Sequence, residues 1–421
     1  RQTKDVIASI KRWGARDNLG AKLLAAAEKL EAKDDRTFTL DFKKPFGMVL
    51  DAFSKPSSIP LFVMPEKVAQ TDPFKQITDM TGSGPYMFAA DRYRPGEKVV
   101  YLKNPYYVPR NEPADGTAGG KHVYVDELDW VILRDAQTVA NAIEKGEVDV
   151  VEMVPNEQYS VLKKNPDIQL LNQTGKQSAM LHLNHAIPPF NNPKIAQAAL
   201  MAINQAALQR AQIVHKELWN TCTSIYPCGS LYASDKTDYF TGKPQFKRAQ
   251  ELLKEAGYDG TPVVLMLPAD MPSLNKYPPV MAELLRRAGF KVDLQSMDWA
   301  TLVTRRTKSS PVSEGGWNGF ITFWNQADTF NPLFFAPLTG SGLKGWFGWT
   351  DDPKLEALKD EFVGTSDLAK RKELAEGIQL RVMDSGVYGM LGEAKPIIAL
   401  RKNISGLVEA PISVFWGLKK D

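Results

Sequence analysis

Apolar and polar positions change their period several times along this chain, and each change marks an element. Near the start, "TKDVIASIKRWGA" sets Val6, Ile10 and Trp13 on one stripe, the pattern of an amphipathic helix. "AKLLAAAEKLEAKDD" reads as a second helix from its composition, and "RTFTLDF" then alternates at period two, as a strand does. Gly82, Gly84 and Pro85 force a turn, after which two strands flank the "RPGE" hairpin. "YVDELDWVILRD" is a further strand. "AQTVANAIEKGEVDVVEMVP" switches to helical spacing before the buried-type run "VDVVEMV", a strand-helix-strand unit that predicts a mixed sheet with crossovers.

Around residue 180 the pattern restarts. "QSAMLHLNH" is a strand, "AIPPFNNP" a Pro-rich loop, and "KIAQAALMAINQAALQRAQIV" a helix of about five turns. "KRAQELLKEAGY" is a helix stopped by Gly257, "TPVVLMLPA" a buried strand, "PPVMAELLRRAGF" a helix ending at Gly289, and "KVDLQSMDW" another strand. "GFITFW" is one more apolar strand. Strands alternating with helices predict a second α/β domain with a substantially parallel sheet, covered by "DPKLEALKDEFV" and "LAKRKELAEGIQLRVMDSG". The tail "NISGLVEAPISVFWGLKK" reads as loop and short strand.

Composition narrows the function classes. The 421 residues exceed one ordinary domain, and 43% hydrophobic with 24% charged residues is globular. With 52 basic and 49 acidic residues the net charge is +3, too small a footprint for a nucleic-acid partner. No apolar run reaches the roughly 20 residues that would cross a bilayer. Arg1 is not an initiator Met and the first residues already read as helix interior, so an upstream segment carrying any signal peptide is expected. Cys222 and Cys228, in "TCTSIYPCGS", could close a loop as a disulfide, which needs an oxidising compartment, or stand as free thiols. They lack the partners a zinc site needs.

The stretch "ITFWNQADTFNP" holds the most pointed question, because Asp328 could be a catalyst, a clamp for a cationic ligand or a helix cap. Catalysis finds no support: the four histidines, His122, His182, His185 and His215, form no metal-ligand pattern, and there is no nucleophile elbow or P-loop. Asp351 and Asp352 precede Pro353 and read as a helix start. No cofactor or metal is expected.

A series of motifs in fixed order carries a resemblance. "DVIASIKRW", "GSGPYMF", "VVYLKNPYY", "VDELDWVILRDAQTVANAIEKGEVDVVE", "LHLNHAIPPFNNPKIAQAALMAINQAAL", "AQELLKEAGYDG", "AELLRRAGFKVDLQSMDWATLV" and "ISGLVEAPISVFW" resemble the extracellular solute-binding proteins of family 5, the dipeptide, oligopeptide and nickel type. The resemblance implies a two-lobed α/β periplasmic binding protein with an extra subdomain, ligand enclosed between lobes, and first-lobe strands missing upstream. It implies residues 1–80 as the extra subdomain, 81–183 with 402–421 as the first lobe, and 184–401 as the second. The implied protein is a periplasmic monomer that hands a small molecule or peptide to an ABC transporter permease in the inner membrane. Rival readings are a nickel or metal-chelate binding protein and a ligand-presenting sensor or chaperone.

In the peptide-binding members, an Asp shortly after the strand-ending Trp pairs with the peptide α-amino group. Trp324 and Asp328 match that segment, but at a spacing of four where those members have three. A carboxylate beside an indole suits an amine through charge-assisted hydrogen bonding and cation–π attraction. The same resemblance places a carboxylate-binding arginine in the loop after "VVLMLPA", where this chain has Asp270, Met271 and Lys276. Arg305 and Arg306 are substitute cations, although two arginines on a helix more often form a solvated face. Trp346, Phe347 and Trp349 stand among glycines in a region bordering the family's cleft, and are either ligand surface or loop packing. Trp219 with Asn220, and His182, are weaker ligand candidates, the last more suited to the core or hinge.

Overall fold

The computed structural model describes residues 2–133, 135–172 and 175–421. The chain gathers into two units, one from residues 1–175 and 396–421 and the other from 176–395. Backbone ladders explain why these limits differ from those read in the sequence. Gln177–Leu183 is paired on both edges inside the second unit, to Gly319–Asn325 and to Tyr388–Ala394. Ile398–Arg401 pairs with Val150–Val151 and Ile168–Leu171 in the first unit.

The first unit opens with the expected helix Thr3–Gly14, which buries Ile10 and Trp13. Asp17 caps the next helix, Asn18–Ala26, by accepting from Gly20 N at 2.9 Å. This helix is shorter than its composition suggests. Ala27–Ala32 leaves it to pair antiparallel with Phe38–Phe42, Leu30 opposite Leu40. The turn is fixed by Asp34 Oδ1, which accepts from Arg36 N at 2.7 Å and Thr37 N at 2.8 Å. Pairing with a committed strand has overridden helix propensity there. Tyr86–Phe88, Lys98–Lys103 and Glu127–Val131 form one antiparallel sheet. The helix Ala136–Lys145 follows, capped by Asp135 and ended by Gly146 at φ 75°. The next strand, Val150–Val151, joins a different sheet with Ile398–Arg401 and Ile168–Leu171, so the predicted crossover within one sheet does not form.

The second unit is built on one six-stranded sheet. Val263–Pro268 runs parallel to Val292–Met297 and to Gly319–Asn325. From there the pairing turns antiparallel, through Gln177–Leu183 and Tyr388–Ala394 to Trp219–Asn220. The sheet is therefore mixed where a largely parallel one was expected. The chain enters this unit at 176 on Gln177–Leu183 and leaves it at 395 from Tyr388–Ala394, neighbouring strands that run in opposite directions. "VYGMLGEA" hid the exit strand because glycines weaken a strand pattern. Gly389 is needed there: a Cβ would stand 2.4 Å from Ile203 Cδ1.

The single long helix read after the Pro-rich loop is two, Pro193–Met201 and Gln205–Gln212. Asn204 leaves helical geometry and caps the second by accepting from Ala207 N at 3.1 Å. The break sends the fully buried Gln205 to Cys222 O at 2.6 Å and Met390 O at 3.0 Å. Phe246–Glu255, Tyr277–Arg287, Pro353–Gly364 and Leu368–Ser385 form as expected. Cys222 and Cys228 are joined, S–S 2.00 Å. Among the described residues no helix is long and apolar enough to cross a membrane.

Candidate functional site

Strand register assembles the site within the second unit. Phe320 lies opposite His182 and His182 opposite Tyr388, which puts three rings in a row across adjacent strands. Period-two alternation carries Trp324 to the same face as Phe320, one pleat beyond Thr322. His182 is the hub: its ring centroid stands 5.0 Å from Phe320, 6.1 Å from Trp324 and 6.1 Å from Tyr388. Trp324 Nε1 donates to His182 Nε2 at 3.1 Å, so Nε2 is the acceptor and the neutral ring carries its proton on Nδ1. Burial, with the positive charge of Arg306 as a second cause, pulls the His182 pKa down from 6.5 to about 3. His182 is an uncharged core ring at neutral pH.

A loop completes the face. Trp346 lies 5.0 Å from His182, 5.5 Å from Trp324 and 4.9 Å from Phe347. The loop holds this pose at some backbone cost, since Trp349 has φ 53°, where a bulky side chain costs roughly 1–3 kcal/mol. Packing offsets that cost, with Trp349 in a buried cluster of Met266, Leu302, Trp317 and Phe320. Gly348, at φ 115°, lets its carbonyl reach His185 N at 2.7 Å, and a Cβ would stand 2.8 Å from Leu183 O. Trp346 and Phe347 are only partly buried, so this loop presents aromatic surface on an anchored base.

The two arginines differ in what they do. Arg305 is structural: Nε donates to Gly315 O at 3.1 Å, and its terminal nitrogens donate to Gln295 Oε1 at 2.6 Å and Gly316 O at 2.7 Å. Arg306 is not part of a solvated face. Its guanidinium carbon lies 5.2 Å from the Phe347 centroid, 5.7 Å from Trp346, 5.8 Å from Trp299 and 5.9 Å from Phe320. Burial pulls its pKa below the usual arginine value.

The structure thus brings together Trp324, His182, Trp346, Phe347 and Arg306 from the sequence candidates, and adds Phe320 and Tyr388. Phe320 was legible from strand alternation with Trp324. Tyr388 was not, because its strand went unread. Trp219 makes no ring contact with this group among the described residues; it is buried at the sheet edge, opposite Ala394, with Lys216 Nζ 3.7 Å above its ring. Asp328 is buried in the short helix Gln326–Thr329, where Oδ2 accepts from Asn325 N at 3.3 Å as half of a capping box. Asp328 is thus the third residue of a helix whose N-cap is Asn325. Glu393 lies against Cys222 and Cys228, but disulfide sulfurs have no thiolate to offer a metal, and its oxygens accept from Cys228 N and Asn220 Nδ2, each at 2.7 Å.

The face thus gathers a buried neutral histidine, aromatic rings and one arginine. Residues 2–346 match the family model for bacterial extracellular solute-binding proteins, family 5 middle, and the chain belongs to that family. It is a solute-binding protein with the two-lobed α/β fold of periplasmic binding proteins, and not an enzyme. A relative described as a probable peptide ABC transporter periplasmic-binding protein, from Sinorhizobium fredii, is 34% identical over 99% of this chain and 78% of its own length. A glutathione-binding protein of Pectobacterium atrosepticum is 26% identical over 93% of this chain and 73% of its own. Among solved structures, the periplasmic binding protein AgaA of A. tumefacien R10, in complex with agropinic acid, superposes with TM-score 0.79 at 22% identity, covering 100% of this chain and 83% of that one. A dipeptide-binding protein from Pseudoalteromonas, in complex with Met-Leu, gives 0.80 at 19% with the same coverage.

Proposed function

We propose that this chain is the periplasmic substrate-binding component of an ABC importer, and that it takes a small organic solute, peptide-like or otherwise, against Trp324, Trp346 and Phe347. The aromatic surface held by the Gly348–Trp349 turn supports this reading most directly. Rings on a strained but anchored loop are pre-organised, so little entropy is lost when a ligand covers them. The 34% identical relative, described as a probable peptide ABC transporter periplasmic-binding protein, supports the importer role. The protein acts as a monomer that meets a membrane permease.

Thermal-shift measurements with short peptides, glutathione, sugars and sugar acids test the reading. A binder at 100 times its Kd stabilises the fold by about 2.7 kcal/mol. Trp346→Ala is expected to weaken that binder by at least roughly tenfold with the unliganded melting temperature little changed. No shift from any compound across millimolar concentrations would sink the proposal.

Asp328 belongs to the same proposal in a narrower way. Its carboxylate fixes the turn after Trp324, and an amine clamp is the second reading. Asp328→Asn keeps an acceptor for the cap and removes the charge. Unchanged affinity for amine-bearing peptides favours the cap; a roughly tenfold or larger loss favours the clamp.

A further inference from the structure

We infer that the loop closed by Cys222 and Cys228 is a thiol–disulfide exchange site that governs the turn after Trp324: a dithiol that opens the bond loosens this turn and weakens solute binding. The affinity half of the inference rests on the solute-binding reading; the positioning half does not.

The two cysteines have different anchors, all inside the unit formed by 176–395. Cys222 is buried and doubly tied to the helix Gln205–Gln212: its N donates to Gln205 Oε1 at 2.9 Å, and its carbonyl accepts from Gln205 Nε2 at 2.6 Å. Cys228 is partly exposed and precedes Gly229, at φ 88°. Its N donates to Glu393 Oε1 at 2.7 Å and its carbonyl accepts from Lys176 Nζ at 3.0 Å. The covalent bond therefore fixes Cys228, and with it Lys176 and Glu393, to a core helix. Once the bond is open, those two hydrogen bonds alone must hold Cys228 against the conformational entropy of its loop.

This polar junction leads to the aromatic face. Glu393 is 1% exposed, and its carboxylate accepts from Cys228 N, from Asn220 Nδ2 at 2.7 Å and from Lys176 Nζ at 3.0 Å. A buried carboxylate that loses a donor is costly to hold in place, so release of Cys228 disturbs Lys176 as well. Lys176 in turn exchanges two hydrogen bonds with Gln326: Gln326 N donates to Lys176 O at 2.9 Å, and Lys176 N to Gln326 Oε1 at 3.4 Å. Gln326 opens the helix Gln326–Thr329, two positions after Trp324. Beside it, Gln177 Nε2 donates to Asn325 Oδ1 at 3.1 Å. Cys228, Lys176 and Gln326 thus form a continuous chain of contacts to the turn that follows the Trp324 ring. A turn that must be ordered on binding lowers affinity.

The exchange itself balances. One thiolate of the dithiol attacks Sγ of Cys228, the more exposed cysteine, and the bond to Cys222 breaks, its sulfur leaving as a thiolate that takes up a proton. The second thiol of the reagent then displaces Cys228. The dithiol becomes a disulfide, and its two protons end on the two cysteines. Ser224 O and Tyr226 O, each 3.8 Å from Cys222 Sγ, are acceptors for the new S–H.

Hydrogen exchange read by mass spectrometry, on the oxidised protein and on protein reduced with dithiothreitol, tests the positioning without any solute. Peptides covering 324–330 are expected to exchange at least roughly tenfold faster after reduction. Cys222→Ser combined with Cys228→Ser should reproduce the effect, and Lys176→Met should do so with the disulfide intact, whereas Lys176→Arg should keep the protection. Faster exchange confined to 221–230 would overturn the inference. So would an increase that Val263–Pro268 shares to the same factor, which is plain destabilisation of the unit, or a Lys176→Met protein that exchanges as the wild type does. If the double serine variant does not fold, the reduced wild type and Lys176→Met decide. For a short peptide or sugar acid that binds the oxidised protein, reduction should raise Kd roughly five- to tenfold. Equal affinity in the two forms would overturn the affinity half. A panel without any binder would sink the solute-binding reading and that half with it, and the exchange result would still decide the positioning.

Discussion

At the scale of single residues, the protein's most consequential choice is a histidine buried where a hydrophobic residue would ordinarily stand. His182 has its Nε2 satisfied by Trp324 and its charge suppressed to a pKa of about 3. The unfolded chain takes up that proton near pH 6.5, the folded one only near 3. Stability is therefore fully present above pH 6.5 and lost as pH falls toward 3, by at most about 1.4 kcal/mol per pH unit from this group. His185, partly exposed as a residue but with its pKa also lowered by desolvation, adds a slope of the same sign. Urea titrations from pH 7 to 4.5 should show His182→Gln losing less stability with acid than the wild type does. An equal slope in the two proteins would mean that His182 protonates without penalty. Trp324→Phe removes the donor to Nε2 and should cost about 1–3 kcal/mol, read from the same titrations at pH 7.5.

Among elements, two local decisions set where the aromatic face can form. The break at Asn204 turns one apolar run into two helices and lets Gln205 reach the strand Tyr388–Ala394. Asn204→Ala should cost about 1 kcal/mol as a lost cap, against near zero for Asn204→Ser. The other decision is at Gly386, φ 64°, where the helix Leu368–Ser385 stops and the strand bearing Tyr388 begins. A Cβ there would come 2.6 Å from that of Ala196. Gly386→Ala should cost more than about 1 kcal/mol by denaturant unfolding, because strain and clash act together.

Across the whole molecule, the two units keep separate hydrogen-bonded sheets. The disulfide Cys222–Cys228 lies wholly in the unit formed by 176–395, beside buried Glu393, whose carboxylate also meets Lys176 Nζ at 3.0 Å. Opening this short loop is expected to destabilise that unit by about 2 kcal/mol. Calorimetry of the reduced protein should therefore lower the transition that carries the tryptophan signal of Trp324 and Trp346 and leave the other in place. Equal lowering of both would show that the units unfold as one.

Local chemistry was enough for much of this fold and some of its site. Stripe and alternation are properties of neighbouring side chains, so Thr3–Gly14, Phe38–Phe42, Val263–Pro268, Tyr277–Arg287 and Gly319–Asn325 could be read directly. Ordered motifs carried the family, and Trp324, Trp346 and Phe347 were visible as rings beside loops. Tertiary structure decided what depends on residues far apart in the chain. It converted Ala27–Ala32 from helix to strand by giving it a partner, and set the direction of the strands entering and leaving the second unit. It also distinguished two adjacent arginines that sequence could only pair: Arg305 finds acceptors ten and eleven positions away, while Arg306 finds rings from Trp299 to Phe347 and no acceptor for its Nε. Periodicity assigns a side chain to a face of its own element; only packing determines what that face meets.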